Sequence, residues 1–122
     1  MDYKYWKING VSLFFDTADL ESMERYEKAF DIMAETAKQE SSERSAVEAI
    51  RFYCQAHRNL YDFIFGEGTA EKIFADVPLN TDAYDDIFEE FLAFIQNQNA
   101  ENSRRRSERF DKMKKFKVNQ KK

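Results

Sequence analysis

Apolar residues recur at three- and four-residue steps along most of this chain, the spacing that places side chains on one face of an α-helix. The stripes predict long helices over residues 17–39 and 43–65, a short helix over residues 69–76, and a fourth from residues 80–82 to about residue 98. The first stripe comprises Leu20, Met23, Tyr26, Phe30, Met33, Ala34 and Ala37. The second comprises Ala46, Val47, Ile50, Tyr53, Cys54, His57, Leu60, Tyr61 and Ile64, and the last comprises Tyr84, Ile87, Phe88, Phe91, Leu92 and Ile95.

Polar residues and helix breakers set the expected helix ends. The first helix has a choice of N-cap oxygens from Asp16, Thr17 and Asp19, and the pair Ser41–Ser42 interrupts the pattern before the second helix. Gly66 stands where a left-handed C-terminal cap is expected, and Thr69 is the predicted N-cap of the short helix.

The segment before the first helix has the residue composition of two β-strands joined by a turn. Residues 3–15 are rich in aromatic and β-branched side chains, and Asn9–Gly10 divides them in the middle. Asn-Gly is the favoured dipeptide of a type I′ turn, because both turn positions need a positive φ. The sequence therefore predicts an N-terminal β-hairpin that packs against helices.

Composition agrees with a helical fold. The chain has 122 residues, room for one core, but only three glycines and one proline, too few for the many tight turns of an all-β fold. The predicted fold class is mainly α: a small helical domain of about four helices with an N-terminal β-hairpin and a basic C-terminal tail. The domain is expected to span residues 1–98, and residues 99–122 form a tail that is flexible or becomes helical on binding.

Charge is unevenly distributed along the chain. Residues 1–100 carry nine basic and twenty acidic side chains, whereas residues 101–122 carry ten basic and three acidic ones. The body is therefore strongly acidic and the tail strongly basic, while Phe110, Met113 and Phe116 recur in the tail at three-residue steps. A basic amphipathic helix of this kind could bind a protein groove or nucleic acid, or could simply aid solubility.

Few residues are candidates for chemistry. His57 is the single histidine and Cys54 the single cysteine, and their i,i+3 spacing on a predicted helix is the one enzyme-like pairing. Core packing explains both residues better. Two such residues cannot supply the four ligands of a zinc site, and the acidic cluster at residues 82–90 lacks the spacing of a calcium loop. We therefore expect a protein that is not an enzyme, with no cofactor and no bound metal.

The expected location is the cytoplasm. A single cysteine suits a reducing compartment, and the N-terminus lacks the basic start and apolar run of a signal peptide. No stretch approaches the roughly 20 apolar residues that cross a bilayer, so no membrane association is expected.

Several segments together resemble a known group of proteins. These are the N-terminal ING-V-x-L-x-F-D segment, TADLESMERYEKAF, LYDFIFGEGTAEKIF and YDDIFEEFLAFIQNQ, which cover roughly residues 8–98. The combination is similar to small proteins of bacteriophages and prophages of Gram-positive bacteria that are grouped with the tail assembly chaperones of long-tailed phages. The resemblance implies a helical, non-enzymatic protein of the bacterial host cell. Such a protein coats the tape measure protein before the tail tube forms, and its relatives can self-associate.

The expected binding surface combines surplus aromatic residues with the basic tail. Six phenylalanines exceed what a small core obviously needs and could all pack internally or form a groove for a helix or a second copy: Phe14, Phe15, Phe52, Phe63, Phe65 and Phe94. The predicted partner-binding residues are Phe14, Phe15, Phe65, Phe94, Arg104, Arg105, Arg106, Arg109, Phe110, Lys112, Met113, Lys114, Lys115, Phe116 and Lys117. The expected partner is a tape measure or other tail protein, with a homo-oligomer as a further option. The rival functions are a nucleic-acid-associated accessory protein that uses the tail and an inhibitor of a host enzyme that uses the acidic body.

Overall fold

The computed structural model describes residues 2–39 and 43–120, with side chains from residue 3 to residue 39 and from residue 43 to residue 117. A 3-10 turn at Asp2–Lys4 leads into strands β1 (Tyr5–Ile8) and β2 (Val11–Phe14). Four helices follow: α1 (Leu20–Lys38), α2 (Ala46–Phe65), α3 (Thr69–Ile73) and α4 (Thr81–Gln120). The predicted fold class is confirmed. The predicted interruption at Ser41–Ser42 lies outside the described residues.

The hairpin forms as its sequence predicts. Asn9 and Gly10 have φ values of 48° and 78°, so both turn positions take the positive φ of a type I′ turn. Trp6 and Ile8 point into the core, whereas Tyr5 pairs with Phe14 on the solvent face. The Asn9 side chain donates to the backbone oxygen of Ile73 at 2.8 Å, which ties the turn to the end of α3.

Helix α1 begins later than the pattern predicted, because Asp19 supplies the cap by accepting from the backbone N–H of Ser22. Leu20, assigned to the apolar stripe, is 75% exposed, so that part of the prediction is wrong. Ala34 and Ala37 of the predicted stripe are exposed as well. The fully buried residues of α1 are Ser22 and Ala29, and four stripe residues pack half-buried against the core: Met23, Tyr26, Phe30 and Met33. Leu20 lies two positions before Ser22, which is about 200° of helical rotation, and therefore faces solvent.

Only the C-terminal part of helix α2 is buried. The helix begins at Ala46, three residues after the predicted start at residue 43. Ser45 caps it by accepting from the backbone N–H of Glu48. Five residues of the predicted stripe are buried: Cys54, His57, Leu60, Tyr61 and Ile64. Val47, Ile50 and Tyr53 are exposed, so the apolar pattern extends further toward the N-terminus than the core does.

A tight corner joins α2 to α3. Gly66 ends α2 with φ 114° and ψ 152°, a positive φ as expected but outside the left-handed helical region. Thr69 is not the N-cap that the sequence predicted; it is the first residue of α3 and donates to the backbone oxygen of Gly66. The Asp62 carboxylate accepts from the backbone N–H of Ala70 at 2.8 Å and so caps α3 from the preceding helix. Helix α3 ends at Ile73, before the predicted end at residue 76.

Helix α4 is the longest element. Asn80 caps its start by accepting from the backbone N–H of Ala83, and the helix continues for 40 residues. At about 1.5 Å per residue its length is about 60 Å. The predicted end near residue 98 is wrong, since no glycine or proline interrupts residues 81–120 and Arg104 bridges to Glu101 and Glu108 along the helix.

Aromatic side chains fill the core. Phe91 is fully buried, and its ring lies within 7 Å, between ring centroids, of six others: Trp6, Phe15, Tyr26, Tyr61, Phe65 and Phe94. Phe15, predicted to bind a partner, is 1% exposed and packs in this core, so it offers no surface to a partner in this fold. Phe65 and Phe94 are half-buried at its edge.

Candidate functional site

Polar residues of α4 hold the N-terminal segment to the helix. Gln98 is 1% exposed, and its side chain donates to the backbone oxygens of Tyr3 and Phe15 at 2.9 and 2.8 Å and accepts from the backbone N–H of Thr17. One turn further on, Asn102 donates to the Thr17 hydroxyl at 2.8 Å. These contacts extend the packed part of α4 beyond residue 98.

Arg105 completes this junction and starts a cationic surface. Its guanidinium donates to the Tyr3 hydroxyl and lies 5.3 Å from the centroid of the Tyr3 ring. Arg106, the next residue, and Arg109, one turn further on, are exposed. All three arginines belong to the predicted binding set, but nothing in the sequence indicated that Arg105 contacts Tyr3.

The N-terminal segment and α4 enclose a cleft of about 510 Å³, which we call the hairpin cleft. It is lined by Tyr3, Lys4, Tyr5, Phe14, Ala18, Asn102, Arg105, Arg106 and Arg109. Its volume lies in the range of roughly 300–1,000 Å³ that is usual for small-ligand sites. The fold thus brings predicted residues Phe14, Arg105, Arg106 and Arg109 to one place, whereas Phe65 and Phe94 do not line the cleft.

Beyond the body, α4 presents what we call the distal stripe, formed by Phe110, Met113 and Phe116. These residues are 56%, 62% and 63% exposed. At 100° per residue, Met113 and Phe116 continue the face of α4 that carries Phe91, and Phe110 lies at its edge. Three exposed lysines of the predicted set, Lys112, Lys114 and Lys117, flank the stripe, whereas the exposed Lys115 lies on the opposite side of the helix.

Arg104 differs from the other predicted cations. It forms ion pairs with Glu101 and Glu108, and these neighbours raise the pKa of the Arg104 guanidinium above its usual value. The hydrogen bond from Arg104 in turn lowers the pKa of the Glu101 carboxyl. Arg104 therefore stabilises the helix more than it offers charge to a partner.

The only enzyme-like pair in the sequence lies inside the core. Cys54 is fully buried and His57 is 2% exposed. Burial raises the pKa of the Cys54 thiol and lowers the pKa of His57, which opposes the thiolate–imidazolium pair that a nucleophilic cysteine needs. This geometry favours the packing role over catalysis.

His57 sits in an aromatic box with one carboxylate nearby. Its ring centroid lies 4.6 Å from that of Tyr53 and 5.5 Å from that of Phe88, and its Nε2 lies 4.0 Å from Asp85 Oδ1. Tyr53 donates to the same carboxylate, and this hydrogen bond raises the pKa of Tyr53 to about 12. The buried His57 Nδ1 lacks a hydrogen-bond partner among the described residues.

This environment predicts that stability falls in mild acid. Because burial lowers the pKa of His57 in the folded state, the unfolded chain binds more protons below its own His pKa of about 6.5. The free energy of unfolding should therefore be highest above that pH and fall below it, by up to about 1.4 kcal/mol per pH unit. Urea unfolding between about pH 7.5 and pH 5 measures this loss.

The His57→Phe variant keeps an aromatic ring there and removes the titrating group. We expect it to flatten the pH dependence, and His57→Gln serves the same purpose if phenylalanine does not fit. Equal slopes for the wild type and both variants would contradict the assignment.

Two further features concern metals and membranes. Residues 2–39 and 43–120 contain no group of three or more histidine, cysteine or acidic side chains arranged to hold a metal ion. None of the helices described combines the length and apolar content that crossing a lipid bilayer requires. Asp85, which belongs to the acidic cluster at the start of α4, accepts a hydrogen bond from the Tyr53 hydroxyl.

Comparison with known proteins gives one match. The model of a family described as "Family of unknown function (DUF6673)" matches residues 9–122, which includes the hairpin turn and all of α4. No curated protein and no solved structure is significantly similar to the chain.

Proposed function

The chain belongs to the DUF6673 family of unknown function, and we propose that it binds a helical segment of another protein through the distal stripe. The observation that carries this proposal is the exposure of Phe110, Met113 and Phe116 on the continuous helix α4. Large apolar side chains in a contiguous exposed group are typical of protein-binding surfaces. Met113 and Phe116 have the i,i+3 spacing of anchors that contact a partner helix.

The cations around the stripe support a partner with an acidic face. The tail from residue 101 carries ten basic side chains against three acidic ones, and its lysines flank the apolar residues. Such charges steer an oppositely charged partner and raise its association rate more than they raise affinity. The apolar residues then supply most of the binding energy.

The resemblance to phage tail assembly chaperones suggests which protein this partner is. In this proposal the chain is a non-enzymatic chaperone in the cytoplasm of a bacterial host. It coats the tape measure protein, or another tail component, of a phage or prophage. A holdase needs an apolar surface of moderate size and enough charge to keep its complex in solution. The distal stripe and its lysines provide both.

A host-enzyme inhibitor is the second candidate, because α1 presents an acidic outer face. Four acidic residues share that face with one lysine and the exposed side chain of Ile32: Glu24, Glu27, Asp31 and Glu35 with Lys28. A row of carboxylates can mimic the phosphates of nucleic acid. The test is capture from host lysate. If the chain captures an enzyme that acts on nucleic acid, and the double variant Glu27→Lys/Asp31→Lys does not, this candidate is favoured.

Co-expression with the tape measure protein of the same phage or prophage tests the first proposal. We expect the chain to keep the tape measure protein soluble and to co-elute with it in size-exclusion chromatography. The double variant Met113→Ser/Phe116→Ser should weaken this association at least tenfold, since each buried anchor contributes more than about 1 kcal/mol. Its own stability should change by less than about 0.5 kcal/mol, because both residues are exposed.

The matched control is Asp111→Ser/Lys115→Ser, which changes two exposed residues on the opposite side of the same turns, leaves the net charge unchanged and should leave the complex largely intact. Equal loss in both double variants would contradict the stripe as the binding site. Light scattering of the free protein measures self-association. A dimer that only Met113→Ser/Phe116→Ser disrupts would assign the stripe to a second copy instead.

A further inference from the structure

The hairpin cleft is a cationic site in an otherwise acidic body. No carboxylate lines it among the described side chains, although the chain has 23 acidic residues. Lys4 is paired with Asp16 at 3.2 Å, and Arg105 is held on the Tyr3 ring. Arg106 and Arg109 are exposed and have no ion pair within the described part of the chain, so their guanidinium groups are available to an anion.

Two exposed aromatic rings form the other wall. Tyr5 and Phe14 are 43% and 53% exposed, and they are cross-strand partners whose ring centroids lie 5.4 Å apart. The two rings meet edge to face, with 66° between their planes. The hairpin holds them in place, because Trp6 on its opposite face is buried against Tyr61 and Phe91. Exposed aromatic faces beside guanidinium groups are the combination that binds the bases and phosphates of single-stranded nucleic acids.

We propose that the hairpin cleft binds a nucleotide unit, with the planar base stacked on one of the rings of Tyr5 and Phe14, its edge against the other ring, and the phosphate at Arg106 and Arg109. An acidic peptide would also pair with the arginines, but it would leave the two rings unused. The planar walls therefore favour a nucleotide. This site is separate from the distal stripe, and the inference does not depend on the chaperone proposal.

The surface next to the cleft favours a strand over a free nucleotide. Arg105, Arg109 and Lys112 follow each other at i, i+4 and i+7, so a row of positive charge leaves the cleft along α4. From Arg105 to Lys112 this row spans about 10 Å at about 1.5 Å per residue. Successive phosphates of a single strand could follow it, whereas a mononucleotide would use only its start.

Fluorescence anisotropy with the full chain and labelled twelve-nucleotide oligo(dT) tests the proposal, with ATP and duplex DNA of the same length as competitors. We expect salt-dependent binding of the single strand and weaker competition by the duplex, whose bases cannot stack on the rings. Tyr5→Leu and Phe14→Leu keep apolar bulk but remove the aromatic face, and each should weaken binding at least about fivefold. Arg106→Gln/Arg109→Gln should reduce the slope of log K against log salt by about 1.4, since each phosphate contact contributes about 0.7.

Lys114→Gln/Lys115→Gln removes the same charge from residues of α4 that do not line the cleft and is the matched control. Binding that depends on Tyr5, Phe14, Arg106 and Arg109 but little on this control supports the site. Competition by ATP with the same dependence also supports it and assigns a free nucleotide as the ligand. The proposal is overturned by no binding, by equal binding of duplex, by equal loss in the control, or by a polyglutamate peptide that binds with the same dependence on Phe14.

Discussion

Phe91→Ala is expected to lower the free energy of unfolding by about 3–5 kcal/mol, the usual cost of deleting a buried aromatic side chain. The expected cost lies toward the upper end, because Phe91 is fully buried and its neighbours cannot easily close the cavity. Its ring contacts the rings of Trp6 from the hairpin, Tyr26 from α1 and Tyr61 from α2. One substitution thus removes an aromatic contact between α4 and each of three other elements. Urea unfolding followed by far-ultraviolet circular dichroism measures the loss.

Phe110→Ala is the control for this loss, since it deletes the same ring from the same helix where the side chain is 56% exposed. It should change stability by less than about 0.5 kcal/mol. Phe91→Leu should fall between the two, because leucine refills part of the cavity. Similar costs for Phe91→Ala and Phe110→Ala would show that Phe91 is not the centre of the core.

The local sequence pattern was sufficient to predict much of the fold. Asn9–Gly10 specified the hairpin turn by itself, because few other dipeptides adopt two positive φ values at low cost. The apolar stripe of α4 also identified its buried residues, including Tyr84, Ile87, Phe91 and Ile95. These are features whose cause lies within a few residues of chain.

The errors arose where a distant partner decides the outcome. The pattern ended α4 near residue 98 because Gln98, Asn102 and Arg105 are polar, yet these residues continue the packed face by contacting Tyr3, Phe15 and Thr17. Leu20 was assigned to the core because it lies three positions before Met23, but the body covers the face of α1 that contains Ser22 and Ala29, and Leu20 points away from that face. The Asp62 cap on α3 likewise spans two helices, and no local signal marks it.

The candidate sites divide in the same way. The distal stripe was predicted, since Phe110, Met113 and Phe116 lie within seven residues of one helix. The hairpin cleft was not, because its walls come from residues 3–18 and 102–109 and only the fold places them together. The sequence named Phe14 and the three arginines, but it gave no reason to group them with Tyr5.

Gln98→Leu is expected to destabilise the fold by about 2–5 kcal/mol, even though leucine fills a similar volume. The substitution leaves the backbone oxygens of Tyr3 and Phe15 and the N–H of Thr17 without the partner that Gln98 provides. A buried polar group left unpaired costs about 1–3 kcal/mol, with a cost toward the lower end for the part-buried groups of Tyr3 and Thr17, whereas the apolar gain from leucine is about 1.5–3 kcal/mol. The unpaired groups should prevail because there are three of them.

Gln96→Leu, two positions away on the exposed side of the same helix, is the matched control and should change stability by less than about 0.5 kcal/mol. Hydrogen exchange gives a second readout, since loss of the Gln98 contacts should deprotect the Thr17 amide and the strand amides before it affects the middle of α2. A Gln98→Leu protein with unchanged stability and a protected Thr17 amide would show that Gln98 does not hold the N-terminal segment on α4. If the prediction holds, the hairpin cleft depends on this residue, because Tyr3, Tyr5 and Phe14 keep their positions beside the arginines only while that segment stays attached.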